Sequence, residues 1–208
     1  MKIQNFLFLT LVLTLISSSA FSQAGCGVRT GAAVTTLAPK GHLLDNNNVT
    51  FSYTVGAFAT LPVSKCFSLQ PEVNYVRKGR SEETYELNTS TETDFKVDYL
   101  QVPVLFQFRD YLKADNTGSL FYIEAGPYAG FALNTLVENS NGGSGTVVTV
   151  PDDKKTDWGA AFGIGFQTPI WNQDFRFNLR YDMGFSEIAN QPDDYRTKAL
   201  SLTVGIAF

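Results

Sequence analysis

Between residues 67 and 75 the apolar Phe67, Leu69, Pro71, Val73 and Tyr75 alternate strictly with Ser68, Gln70, Glu72 and Asn74. Side chains of a β-strand point to opposite faces in turn, so a segment of this kind has one greasy face and one wet face. The split recurs at 157–167, where Trp158, Ala160, Phe162, Ile164 and Phe166 oppose Asp157, Gly159, Ala161, Gly163, Gly165 and Gln167. It recurs again at 175–186, where Phe175, Phe177, Leu179, Tyr181, Met183 and Phe185 oppose Arg176, Asn178, Arg180, Asp182, Gly184 and Ser186, and at 200–208. Shorter versions occupy 28–35, with Arg29 on the wet face, 51–57 and 121–131. In one further segment Leu100, Val102, Val104, Phe106 and Phe108 carry the apolar face, while Phe95, Val97 and Tyr99 sit on the other parity. That switch predicts a β-bulge or a strand end projecting beyond the membrane.

Eight strands follow, and their connections sort by length. Those at about 61–65, 109–119 and 169–174 are short or moderate, whereas those at about 38–48, 79–94, 137–156 and 187–198 are long and polar. With both ends on one side, strict up-and-down alternation puts the short turns in the periplasm and the long loops outside, as in outer-membrane barrels.

Alternation alone does not separate a lipid-facing barrel from a soluble one, because both have one apolar and one polar face. The filling of the polar face decides. It is mostly Gly, Ala, Ser, Thr, Asn and Gln, with a few charges of both signs, whereas a soluble exterior carries many Lys and Glu. An eight-stranded barrel is just wide enough to be filled by side chains. Glu72, Glu124, Arg176, Arg180 and Asp182 fall on that face, and a buried unpaired charge costs several kcal/mol, so an interior ion-pair network is expected, not an open pore. On the apolar face Tyr75, Tyr181, Trp158, Phe185 and Phe208 lie near strand ends, where interfacial aromatic girdles form.

The first residues fit export. Met1 and Lys2 precede an apolar run at 6–16 and then Ser17, Ser18, Ser19, Ala20, Phe21 and Ser22, the pattern of a signal peptide cleaved after Ser22. The run is too short for the roughly 20 apolar residues of a spanning helix. Residues 23–208 then form one outer-membrane domain. Phe208 on an alternating last strand is the usual recognition signal for the barrel-insertion machinery. The net charge of −4, with no Lys/Arg cluster, argues against a nucleic-acid partner. Cys26 and Cys66 allow one disulfide in an exported chain, and no CxxC spacing suggests a redox role.

Several segments resemble the PorT-like outer-membrane β-barrel family, the porin-family proteins of Bacteroidetes-type bacteria. They are 67–75 with Lys78 and Gly79, Tyr99-Leu100-Gln101-Val102-Pro103-Val104-Leu105, Gly126-Pro127-Tyr128-Ala129-Gly130, Gly163-Ile164-Gly165-Phe166, Arg180-Tyr181-Asp182-Met183-Gly184 and the last strand. The resemblance implies an all-β, eight-stranded antiparallel up-and-down transmembrane barrel of the small OmpA/OmpX-like type. It implies no reaction.

Chemistry is sparse. His42 in the first long connection, with Ser81, Glu82 and Glu83 in the second, lacks any motif that would fix a nucleophile beside a base. Asp152-Asp153 and Asp193-Asp194 lack calcium-loop spacing, and Gly142-Gly143-Ser144-Gly145 reads as a flexible linker, with no Lys-Ser/Thr after it to make a phosphate loop. The expectation is a non-enzymatic outer-membrane barrel without cofactor or metal. It would contact lipid and act through surface loops or within an envelope or secretion assembly. A narrow channel for small solutes and a lipid-modifying enzyme using His42 are the alternatives.

Overall fold

A computed structural model describes residues 24–39, 49–86, 89–111, 118–139, 143–148, 156–186 and 195–208. They form strands β1 (Gly25–Pro39), β2 (Val49–Pro62), β3 (Phe67–Glu86), β4 (Thr89–Tyr111), β5 (Leu120–Asn139), β6 (Gly143–Val148), β7 (Thr156–Ile170), β8 (Gln173–Gly184) and β9 (Tyr195–Ala207). The proposed cleavage point after Ser22 lies outside the described residues.

All pairings are antiparallel, in the order β4-β3-β2-β1-β9-β8-β7-β5, and β4 pairs with β5 to close the ring. The wall therefore has eight strands. β6 is a ninth that stands outside it, paired among the described residues only with β5, between Thr135 and Asn139. Closure removes every sheet edge from the wall, the condition for a sheet to cross hydrocarbon.

The barrel is inside out. Leu202 is 61% exposed and Arg180 2%, although both lie near the middle of paired strands. Phe162, Ile164, Leu179 and Val204 likewise point outward, while Glu72, Gln101, Gln107 and Glu124 are buried in the lumen. An apolar belt of this extent requires a lipid solvent. The parity switch in β4 appears as a register shift against β5 between Asp98 and Tyr99, after which Tyr99 is buried and Leu100 faces out.

The long connections differ from their sequence expectation. Residues 79–94 are not a loop: β3 and β4 stay paired up to Glu86 and Thr89. Part of 137–156 is likewise strand, in β5 and β6, so Gly143, Ser144 and Gly145 belong to a strand and not to a linker. β3, β4 and β5 have 20, 23 and 20 residues, against the about 9–11 that cross a bilayer, so the surplus stands clear of the membrane. Beyond the bilayer both faces of a strand are wet, which erases the alternation that marks strands within it.

At the opposite end two turns are tight. Residues 63–66 join β2 to β3, and Trp171 with Asn172 joins β7 to β8. Trp171 has φ 52°, in the left-handed region, and is fully presented to the surroundings.

Candidate functional site

The polar side chains of the lumen form three levels. In the middle Arg180 of β8 reaches Glu72 of β3, with Nη1 2.7 Å from Oε2 and Nη2 2.9 Å from Oε1. Arg180 Nε donates to Glu124 Oε1 of β5 at 2.8 Å. Arg29 of β1 donates to Glu72 Oε1 at 3.1 Å. Gln70 and Asn74 donate to Glu72 at 2.7 and 2.8 Å, and Asn178 donates to Glu124 at 3.1 Å. Two carboxylates thus share two guanidiniums in a fully buried setting, where charge-assisted bonds are strongest and a missing partner is most costly.

Toward the loop end, Lys78 Nζ lies 2.8 Å from Asp157 Oδ2. Tyr128 and Thr197 donate to the same oxygen at 3.3 and 3.1 Å, and Ser186 donates to Oδ1. The ammonium also sits 5.3 and 4.9 Å from the Tyr99 and Tyr128 ring centroids, within cation–π reach. On the outer wall nearby, Arg77 pairs with Asp98 at 2.7 Å and lies over the Tyr53 ring. Tyr53 and Tyr75 are themselves 6.1 Å apart, and Trp158 is 5.3 Å from Phe185.

Toward the turn end side-chain amides and a hydroxyl join the network. Gln107 Nε2 donates to Gln70 Oε1 and to Glu124 Oε2, both at 2.9 Å. Arg109 donates to Gln107 Oε1, and Arg176 to Gln70 Oε1 and Thr60 Oγ1.

Of the five charges expected to pair, the structure brings Glu72, Glu124 and Arg180 into one cluster. Arg176 meets amide and hydroxyl oxygens in place of a carboxylate. Asp182 accepts from Gln101 Nε2 at 3.3 Å, and its Oδ1 is buried without a partner. Arg29, Lys78 and Asp157 belong to the lumen as well. Their parity marked them, since Arg29 alternates with Val28 and Thr30, and Lys78 continues the even row of Glu72 and Asn74.

Cys26 and Cys66 are exposed free thiols, not the disulfide that the sequence permits. Cys26 lies in β1, bonded through its backbone to Phe208, and Cys66 follows β2 at the foot of β3. With β2 between them, a separation of about 10 Å across two strand spacings exceeds the Cα distance of a disulfide.

His42, Asp152, Asp153, Asp193 and Asp194 lie outside the described residues, as do the side chains of Ser81, Glu82 and Glu83. Among the described residues no three His, Cys, Asp or Glu side chains converge as metal ligands.

Three solved barrels resemble the fold. Neisserial surface protein A (NspA) is 17% identical, with 88% of this chain and 97% of that one covered and a TM-score of 0.49. Ail, the attachment invasion locus protein of Yersinia pestis, in complex with the heparin analogue sucrose octasulfate, is 16% identical over 89% and 99%, with a TM-score of 0.42. Outer membrane protein W of E. coli is 15% identical over 89% and 98%, with a TM-score of 0.38. No curated protein matches the chain. The family model described as outer membrane protein beta-barrel domain matches residues 17–190. A match over that span, on a closed wall with charge inside and hydrocarbon-loving residues outside, makes this chain a member of the outer membrane protein beta-barrel domain family.

Proposed function

We propose that this protein is a non-enzymatic barrel whose lumen is closed, and that it acts through what it presents at the cell surface or as part of an envelope assembly. PorT-like membership is the finer family reading, and the segments quoted above support it. The long-strand end faces outward and the tight turns face the periplasm, in keeping with small outer-membrane barrels. The observation that carries the proposal is the Arg180–Glu72 strut, joined by Glu124 and Arg29, which spans the lumen at mid-height. A closed tube has no transport task, whereas β3 and β4 continue as a paired ribbon well beyond the wall.

Planar-bilayer recording of the purified, refolded protein tests the closed lumen. Silence at voltages where porins conduct is expected, and reproducible unitary steps would favour the narrow-channel alternative. Shortening the ribbon between Ser81 and Asp94 should leave heat-modifiable gel migration intact while abolishing photo-crosslinks made from that ribbon on whole cells. Unchanged crosslinks from neighbouring positions would separate the ribbon from the protein's task.

A further inference from the structure

Arg176 is built into the turn-end mouth of the barrel. Its guanidinium stacks 4.8 Å from the Phe58 ring centroid. Both of its hydrogen bonds leave from Nη1, to Thr60 Oγ1 at 3.0 Å and Gln70 Oε1 at 2.8 Å. Nε is buried with no partner, although the residue as a whole is only 6% exposed. Arg109 is linked to it through two amides: Arg109 donates to Gln107 Oε1, and Gln107 donates to the same Gln70 oxygen that Arg176 uses.

These two arginines open on a recess of about 280 Å³, which Thr60, Gln167, Asn172 and Asp174 also line. A second recess of about 890 Å³ shares Pro62, Arg109, Gln167 and Asp174 with it and adds Lys65 and Asp110. The combined mouth therefore sets Lys65, Arg109 and Arg176 against Asp110, Asp174 and the terminal carboxylate of Phe208. Of those carboxylates, Asp174 accepts from Gln167 Nε2 at 2.7 Å, and among the described residues it makes no ion pair with Arg176.

We infer that this vestibule is a binding site for an oxyanion, a carboxylate or phosphate group held by Arg176 beside Arg109. A guanidinium N–H buried without an acceptor is costly, and two oxygens on one carboxylate or phosphate centre supply paired acceptors to such a fork. Phe58 holds the guanidinium plane, so little order is lost on binding. Soluble oxyanions of the periplasm and the headgroup phosphates of the inner leaflet share this chemistry. The choice between these sources rests on the orientation proposed above, while binding itself does not.

The experiment uses the full chain refolded in maltoside micelles, which contain no phosphate. Trp171 adjoins Asn172 of the recess wall, so its fluorescence in a Trp158→Phe background reports occupancy. Inorganic phosphate and glutarate are titrated separately at constant ionic strength, with chloride as the control. A saturable change with either oxyanion but not with chloride is expected, weakened about tenfold or more by Arg176→Gln and less by Arg176→Lys. Where Arg176→Gln fails to fold, the wild-type unfolding midpoint replaces it: phosphate at constant ionic strength should raise it, and chloride should not. Titration without saturation, or equal affinity in the folded Arg176→Gln variant, overturns the site. In phosphatidylcholine nanodiscs, loss of the phosphate response identifies the headgroup as occupant, and its retention identifies a soluble ligand.

Discussion

Arg180 and Glu72 lie diametrically opposite in the ring, four strands apart in either direction, yet their side chains meet in two bonds of 2.7 and 2.9 Å. A contact of this reach is a strut across the lumen and not a feature of either strand. Glu72→Ala would leave Arg180 with Glu124 alone and strip Arg29 of its carboxylate. Removing one partner of a buried ion pair costs about 3–5 kcal/mol, and the expected loss in urea unfolding from lipid vesicles is of that size. The double variant Glu72→Leu/Arg180→Met, which removes charge from both sides, should regain most of it. Unfolding of Glu72→Ala that matches the wild type would show that water reaches and screens this level.

The outer row carries the opposite expectation. Leu202 faces out from the middle of β9, paired with Ala32 and Leu179 on its neighbours. Leu202→Arg places a charge near the bilayer midplane, where such substitutions in barrels cost about 2–4 kcal/mol. Leu202→Phe should be close to neutral by the same unfolding measurement. An arginine tolerated at 202 would mean that this face does not meet hydrocarbon.

The difference between these two rows was legible in the sequence, because within the membrane a strand's period of two separates lipid from lumen at every residue. Even the bulge in β4 announced itself, through Tyr99 on the parity of Val97 and against Leu100. The partners inside the lumen were not legible. Glu72 and Arg180 are 108 residues apart, and which wet-face residues share a level depends on strand stagger, which no local pattern encodes. Hence Arg176, set among charges by its parity, meets Gln70 and Thr60. The β3–β4 ribbon escaped for a different reason: its strands leave the bilayer, and polar composition there resembles a loop while backbone pairing continues.

The cysteines give a prediction free of folding energetics. Cys26 stands in β1 and Cys66 in the turn that joins β2 to β3, and both thiols are exposed. Purified, unreduced protein should therefore take up two equivalents of maleimide, and its migration on non-reducing gels should match the reduced form. Labelling only after reduction would show that the mouth of the barrel rearranges far enough to join them.

Gly126 of β5 tests the wall itself. A Cβ built there would lie 2.0 Å from the Val104 carbonyl oxygen and 2.9 Å from Leu105 Cα, both backbone atoms of β4 that cannot turn aside. The site adjoins the small buried apolar cluster of Leu105, Tyr128 and Ala161. Gly126→Ala must push β4 and β5 apart against their pairing on either side, and overpacking of this kind costs about 1–3 kcal/mol. Gly25→Ala is the matched control, since a Cβ there meets nothing within 4 Å. The expected result is a lowered unfolding midpoint for Gly126→Ala with Gly25→Ala unchanged. Equal midpoints would mean that the seam between β4 and β5 yields at no cost, and that closure of the ring there is looser than the backbone approach at Val104 requires.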